Sequence, residues 1–259
     1  MSRRRSEILA EMGLAPVWRL RTRAAGAAAP PHPEEHATRT PGAPPLPARR
    51  TQGAARAAAT RPSIVVDPRE EQILRMDWTA LKAKVGGCTD CGLRATCKQT
   101  VFGVGDERAA WMLVGEAPGA EEDRLGEPFV GQAGKLLDNM LAAIGLKRGE
   151  NVYVANVLKC RPPGNRNPEA DEVARCSPYL ARQIELIGPK LVVAMGRFAA
   201  QTLLNTGATI ASLRGSVHRY AGVPLVVTYH PAYLLRNLPD KAKAWADLRF
   251  AVKTMQGLS

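Results

Sequence analysis

Trp111-Met112-Leu113-Val114-Gly115-Glu116-Ala117-Pro118-Gly119 is the stretch on which the fold turns. Four large apolar residues in a row, closed by a Gly/Pro turn, are too few for a helix and read as a buried strand. On its carboxyl side, residues 132–144 place Leu136, Leu137, Met140, Leu141 and Ile144 on one helical stripe. Beyond that, residues 152–158 read as a strand, 169–187 as a helix, 191–195 as a strand and 198–204 as a helix. Residues 224–228 read as a strand and 241–255 as a helix, while on the amino side 71–84 read as a helix. Strands that alternate with helices in this way predict a three-layer α/β/α sandwich with a mostly parallel central sheet. Its functional site is expected at the carboxyl ends of the strands.

The chain has 259 residues, 45% of them hydrophobic, which is enough for a folded core. Its formal net charge of +12 favours a polyanionic partner such as nucleic acid. Residues 1–62 hold eleven arginines against four glutamates and are the more basic part. Within them, Ser6 can cap a short helix through Met12, with Ile8, Leu9 and Met12 on one face. From Ala24 to Pro62 there is no aromatic residue, Leu46 is the one large aliphatic, and eight of the twenty prolines occur. Such a stretch cannot bury enough apolar surface to offset its ordering entropy, so a disordered basic extension over 1–62 is expected to precede a folded domain over 63–259. No run of 18 apolar residues exists, and no apolar segment follows Arg3-Arg4-Arg5. Neither a membrane span nor a secretory signal is therefore predicted, and a cytoplasmic protein is expected.

Five cysteines in a reducing compartment point to metal or redox use more than to disulfides. Cys88 and Cys91 form a CxxC pair in a Gly-rich turn, and Cys160 and Cys176 are separated by fifteen residues. Four thiolates at irregular spacing suit an iron–sulfur cluster, and a zinc site assembled across the fold is an equal alternative on spacing alone. Buried, inert cysteines are the plain structural reading. Cys97 is left over as a small core residue, although Cys88, Cys91 and Cys97 also make a set of three.

Three further segments fall where strands end. Gly115-Glu116-Ala117-Pro118-Gly119 lacks both the GxGxxG and the GK[ST] spacing, so a nucleotide cofactor is poorly supported. Pro128-Phe129-Val130-Gly131-Gln132-Ala133-Gly134 leads into a helix; its phenylalanine taken alone reads as core. Asn156 through Pro168 brings an amide together with Lys159, Arg161 and Arg166, and an amide carries both the donor and the acceptor needed to read one edge of a base. His230-Pro231-Ala232-Tyr233-Leu234-Leu235-Arg236 follows the last strand, with a leucine pair that could serve as an apolar wedge.

These segments, in this order from about residue 70 onward, resemble the family 4 uracil-DNA glycosylases, the iron–sulfur branch of the uracil-DNA glycosylase superfamily. The resemblance implies hydrolysis of the N-glycosidic bond of deoxyuridine in DNA, with release of uracil from an extruded nucleotide. It also implies a [4Fe-4S] cluster on Cys88, Cys91, Cys160 and Cys176, serving structure near DNA and not the chemistry. By the same resemblance, Phe129 stacks on the base, Asn156 pairs with its polar edge, and His230 stabilises charge developing on the leaving uracil. Ala117 stands where better-known superfamily members carry a water-orienting aspartate, which leaves Glu116, Glu122 and Asp123 as the nearby carboxylates. Lys159, Arg161 and Arg166 are expected to contact phosphates, Leu234 and Leu235 to fill the vacated stack, and Arg236 to hold the backbone. The partner is then uracil-containing DNA, bound by a monomer without a membrane. The alternatives are a noncatalytic iron–sulfur DNA-binding module and a glycosylase for other deaminated bases.

Overall fold

The computed structural model describes residues 67–258. The expected N-terminal helix over 6–12 and the linker over 24–62 lie outside them.

Within these residues the chain forms helices α1 (Pro68–Leu74) and α2 (Trp78–Gly86), then strands β1 (Val104–Gly105) and β2 (Trp111–Gly115). Helices α3 (Ala120–Leu125) and α4 (Gln132–Ala143) lead to β3 (Val152–Asn156) and the long helix α5 (Ala170–Ile187). Strand β4 (Leu191–Met195), helices α6 (Arg197–Leu204) and α7 (Ile210–Leu213), and strands β5 (His218–Tyr220) and β6 (Val223–Thr228) follow. Helices α8 (Pro231–Arg236) and α9 (Lys241–Gln256) complete it.

The six strands make one sheet in the order β1-β3-β2-β4-β6-β5. The four inner strands are parallel, and the two short edge strands pair antiparallel. Every residue of β2, β3 and β4 is buried, as expected for strands covered on both faces. Alternate residues divide between two cores. Met112, Val114, Ala155, Val192 and Ala194 pack on one face against Leu180 and Ile184 of α5 and Ala199, Ala200 and Leu203 of α6. Leu113, Val154, Val193 and Val226 pack on the other against Leu137 and Leu141 of α4 and Ala251 of α9. The three-layer α/β/α sandwich is therefore the observed fold.

Three details differ from the expectation. The helix expected over 71–84 is two, because Asp77 accepts from the Ala80 amide and starts a new helix, leaving Arg75 and Met76 as the joint. The strand expected over 152–158 ends at Asn156, where the chain turns inward. Strands β1 and β5 and helices α3, α7 and α8 are additions to the expected elements. The inner strands all run the same way, so the loops after β2, β3, β4 and β6 gather at one end of the sheet, on both sides of the point where the strand order reverses.

Candidate active site

At that end lies a cleft of about 740 Å³. Glu116 and Ala117 line it from the loop after β2, Asn156 from the end of β3, Arg197 from the start of α6, and His230 from the start of α8. Phe129 closes it from the segment before α4.

Asn156 is the last residue of β3 and is 2% exposed. Its Oδ1 is the one buried side-chain polar atom without a hydrogen-bond partner among the described residues. Leaving such an acceptor unpaired costs about 1–3 kcal/mol, so an orphan facing a cleft is best understood as awaiting a ligand donor.

His230 caps α8: its Nδ1 accepts from the Ala232 amide at 3.1 Å. That bond fixes the neutral tautomer with the proton on Nε2. Burial pushes its pKa down to about 4; the Glu122 charge opposes this shift and Arg236 adds to it. The ring is thus an uncharged donor at neutral pH. It lies 5.4 Å from the Phe129 ring at 30°.

Phe129 is held in a strained position. Its φ of 56° is left-handed, unusual for a residue with a bulky side chain. Arg148 donates to the carbonyls of Pro128 at 2.9 Å and Phe129 at 3.0 Å, and is itself held by Asp138. Glu122 accepts from the amides of Val130 and Gly131 with one oxygen and from the Gly119 amide with the other. One carboxylate therefore ties the loop after β2 to the Phe129 segment. A side chain at Gly134 would collide with the Phe129 carbonyl, so only glycine permits this packing. The tie from Glu122 back to the Gly119 amide spans three residues, a spacing the sequence offered, whereas Arg148, some twenty residues from Phe129, carried no local signal.

The three carboxylates near the loop have different roles. Asp123 is buried and accepts from the Lys98 and Gln99 amides, and Glu122 is committed as above. Glu116 lines the cleft with its carboxylate in no hydrogen bond or ion pair among the described residues, and burial raises its pKa against the opposing charge of Arg197.

Two expected DNA contacts are corrected. Lys159 is 2% exposed, and its ammonium donates to the Asn156 carbonyl and to Gln183 Oε1, so it cannot reach a phosphate. Leu234 is 1% exposed and packs with Tyr229 and Ala244, because the inner face of α8 must cover the core. Leu235 is 41% exposed and Arg236 exposed at the cleft edge. Arg161 is half-buried and bonded to Asn165, while Arg166 lines the cleft paired with Glu172 and Glu169.

The cysteines gather on the opposite side of Asn156. Burial pushes Cys176 up to about 11 and raises Cys160 and Cys91. Cys160 also feels the charge of Cys97, Cys176 and Cys91, and Cys176 that of Cys88 and Cys91, so all five sulfurs share one neighbourhood. The Lys159 amide donates to Cys176 Sγ at 3.2 Å, and the Tyr179 hydroxyl, which donates to Asp90 at 2.6 Å, lies 3.4 Å from Cys88 Sγ. Among the described residues, no group of three or more His, Cys, Asp or Glu side chains is set to hold a single metal ion.

The family model described as the uracil DNA glycosylase superfamily matches residues 102–249. The type-4 uracil-DNA glycosylase of Archaeoglobus fulgidus is 49% identical over 160 residues, covering 59% of this chain and 80% of that protein. That of Pyrobaculum aerophilum is 43% identical over 181 residues, 67% of this chain and 92% of that protein. A type-5 uracil-DNA glycosylase of the same organism is 36% identical over 151 residues, 51% of this chain and 66% of that protein.

Proposed function

Because the chain belongs to the uracil-DNA glycosylase superfamily, among its type-4 members, we propose that it hydrolyses the N-glycosidic bond of deoxyuridine in DNA. Uracil leaves, and an abasic site remains for repair. The observation that carries the reading for this chain's own residues is the orphaned Asn156 Oδ1 at the wall of the cleft.

A uracil extruded from the stack presents an N–H flanked by two carbonyls. Asn156 Oδ1 accepts from that N–H while its amide donates to one carbonyl. Cytosine offers an acceptor where uracil offers the N–H, so it would leave Oδ1 unpaired, and buried mismatches of this kind discriminate strongly. Phe129 supplies the face on which the base stacks. His230 Nε2–H donates to the other carbonyl, where negative charge appears as the bond to the sugar breaks. A neutral donor suits this task, since it binds charge that exists only in the transition state; one such donor is worth about 3 kcal/mol. Glu116, the free carboxylate of the cleft, orders the water that attacks the sugar, and Ala117 beside it leaves room for that water.

Arg161, Arg166 and Arg236 face the DNA backbone, and Leu235 fills the gap left by the base. Cys88, Cys91, Cys160 and Cys176 would hold a [4Fe-4S] cluster. Their shared charge environment and the amide donor aimed at Cys176 support the assignment. These four residues lie on α5, the segment after β3 and the segment after α2, so a cluster held by them would supply structure and not the hydrolysis. The enzyme acts as a monomer in the cytoplasm. No described helix is long and apolar enough to cross a membrane.

The test is incubation of the purified protein with a labelled uracil-containing oligonucleotide, followed by alkaline cleavage. Wild type should cut at the uracil, with Asn156→Ala and His230→Ala each lowering the rate by about a hundredfold. A cluster-loaded wild type that leaves the strand intact would remove the assignment and favour a binding module.

A further inference from the structure

The basic residue that the sequence directs at DNA has another role. Lys159 is enclosed between the cleft and the thiol group, and each of its polar atoms is committed. Its Nζ donates to the Asn156 carbonyl at 2.9 Å and to Gln183 Oε1 at 2.6 Å. Its backbone amide donates to Cys176 Sγ, and its carbonyl accepts from the Val101 amide at 2.7 Å. Gln183 is anchored in turn, since its amide donates to the Phe102 carbonyl at 3.0 Å. The base-reading residue is thus tied through one side chain to α5, and through that residue's backbone to the sulfur of Cys176.

A cation is costly to bury, and a methionine would fill the same space without that cost. Its presence is best explained by what it holds. Asn156 is the last residue of β3 and lies beyond the pairing with β1, which ends at Val154. On the β2 side the backbone stays tied, since Val157 and Leu158 donate to the Gly115 and Glu116 carbonyls. The Lys159 ammonium takes the Asn156 carbonyl on the side that lacks a strand and, with the Val157 amide, holds that peptide plane from both ends. A small rotation there would swing Oδ1 away from the uracil N–H, and misplacement by about 1 Å is enough to lose much of a reaction's rate.

We propose that Lys159 is a positioning residue for base recognition, which sets Asn156 from a support shared with Cys176. The proposal rests on the reading of the cleft as a uracil site. It separates Lys159 from the arginines at the surface, because Lys159 touches neither base nor phosphate and should affect recognition without affecting DNA docking.

The experiment compares full-length wild type, Lys159→Met and Lys159→Gln, each normalised to iron content so that only cluster-loaded molecules are counted. Three quantities are read: kcat on uracil-containing DNA, KM for that DNA, and inhibition by free uracil, which reports on the pocket alone. Lys159→Met should lower kcat and weaken uracil inhibition by about tenfold each, with KM unchanged. Lys159→Gln, which keeps a donor near the Asn156 carbonyl, should recover part of both. A raised KM and a shallower salt slope with kcat retained would return Lys159 to phosphate binding and overturn the proposal. Wild-type values of all three in the loaded fraction would also overturn it, as would failure of both variants to take up iron, which would make Lys159 a folding residue. A wild type that releases no uracil would instead overturn the reading of the cleft.

Discussion

Gly115 and Asn156 are direct partners across the parallel ladder of β2 and β3, and a Cβ at Gly115 would collide with Asn156 Oδ1 and lie 2.6 Å from Phe129 Cζ. The absence of a side chain at one strand end therefore makes the space in which the Asn156 amide and the Phe129 ring meet. Gly115→Ala should lower kcat by about a hundredfold while costing only the 1–3 kcal/mol typical of overpacking. The check is uracil release measured beside thermal unfolding. An alanine variant with wild-type kcat would show that Asn156 and Phe129 do not need their present spacing.

Burial of His230 makes a pH prediction. The folded state keeps the ring neutral down to about pH 4, against an ordinary value of 6.5. The rate of uracil release should therefore show no inflection near 6.5 that a His230→Gln variant lacks. Stability follows the same linkage. In the unfolded chain this histidine takes up its proton near 6.5, whereas the folded chain resists until about 4. Its contribution is full above 6.5 and is lost as pH falls toward 4. Urea midpoints measured from pH 7 to 4 should fall more steeply in wild type than in His230→Gln; parallel curves would contradict a buried neutral ring.

The inner strands were legible because burial on both faces leaves an unbroken apolar run, as at Leu113 and Val193. The edge strand His218–Tyr220 was not, since three polar residues, two half-exposed and Arg219 exposed, hold no apolar run, and its pairing is a tertiary fact. The break before Asp77 could have been read from its capping chemistry, because an aspartate before an apolar period is a helix start. In the cleft, Asn156 and His230 were legible as residue types at strand ends, whereas Phe129, before a helix, was marked only by the family resemblance. The direction of Lys159 was not: a lysine in a basic, proline-rich segment reads as solvent-facing, and only the early end of β3 turns its stem inward toward Gln183. Sequence likewise brought five cysteines into view but could not say that Cys97 lies beside Cys160.

Leu234 and Leu235 are adjacent in a helix of six residues, and consecutive helical positions point about 100° apart. One leucine must face the core and the other the solvent. Leu234→Ala should cost about 2–5 kcal/mol of stability and change activity only through the loss of folded protein. Leu235→Ala should leave the melting temperature alone and reduce cleavage of uracil in duplex DNA more than in single strands, because only the duplex must be held open. Equal losses on both substrates would remove the wedge assignment.

Cys97 and Cys160 offer the sharpest test of the thiol site, since both are buried and they lie side by side. Burial discourages a lone thiolate, so a sulfur that gains iron gains a partner for its charge, and one without iron stays protonated. If the four ligands are Cys88, Cys91, Cys160 and Cys176, then Cys160→Ser should lose most of the bound iron and sulfide and unfold at lower temperature. Cys97→Ser, which changes one sulfur in a packed wall, should keep both the iron and the melting temperature. Iron and acid-labile sulfide assayed per chain decide between them. Loss of iron in Cys97→Ser with retention in Cys160→Ser would exchange their roles, placing a ligand six residues beyond the CxxC pair. Cys176, which accepts from the Lys159 amide, would remain a ligand in either case.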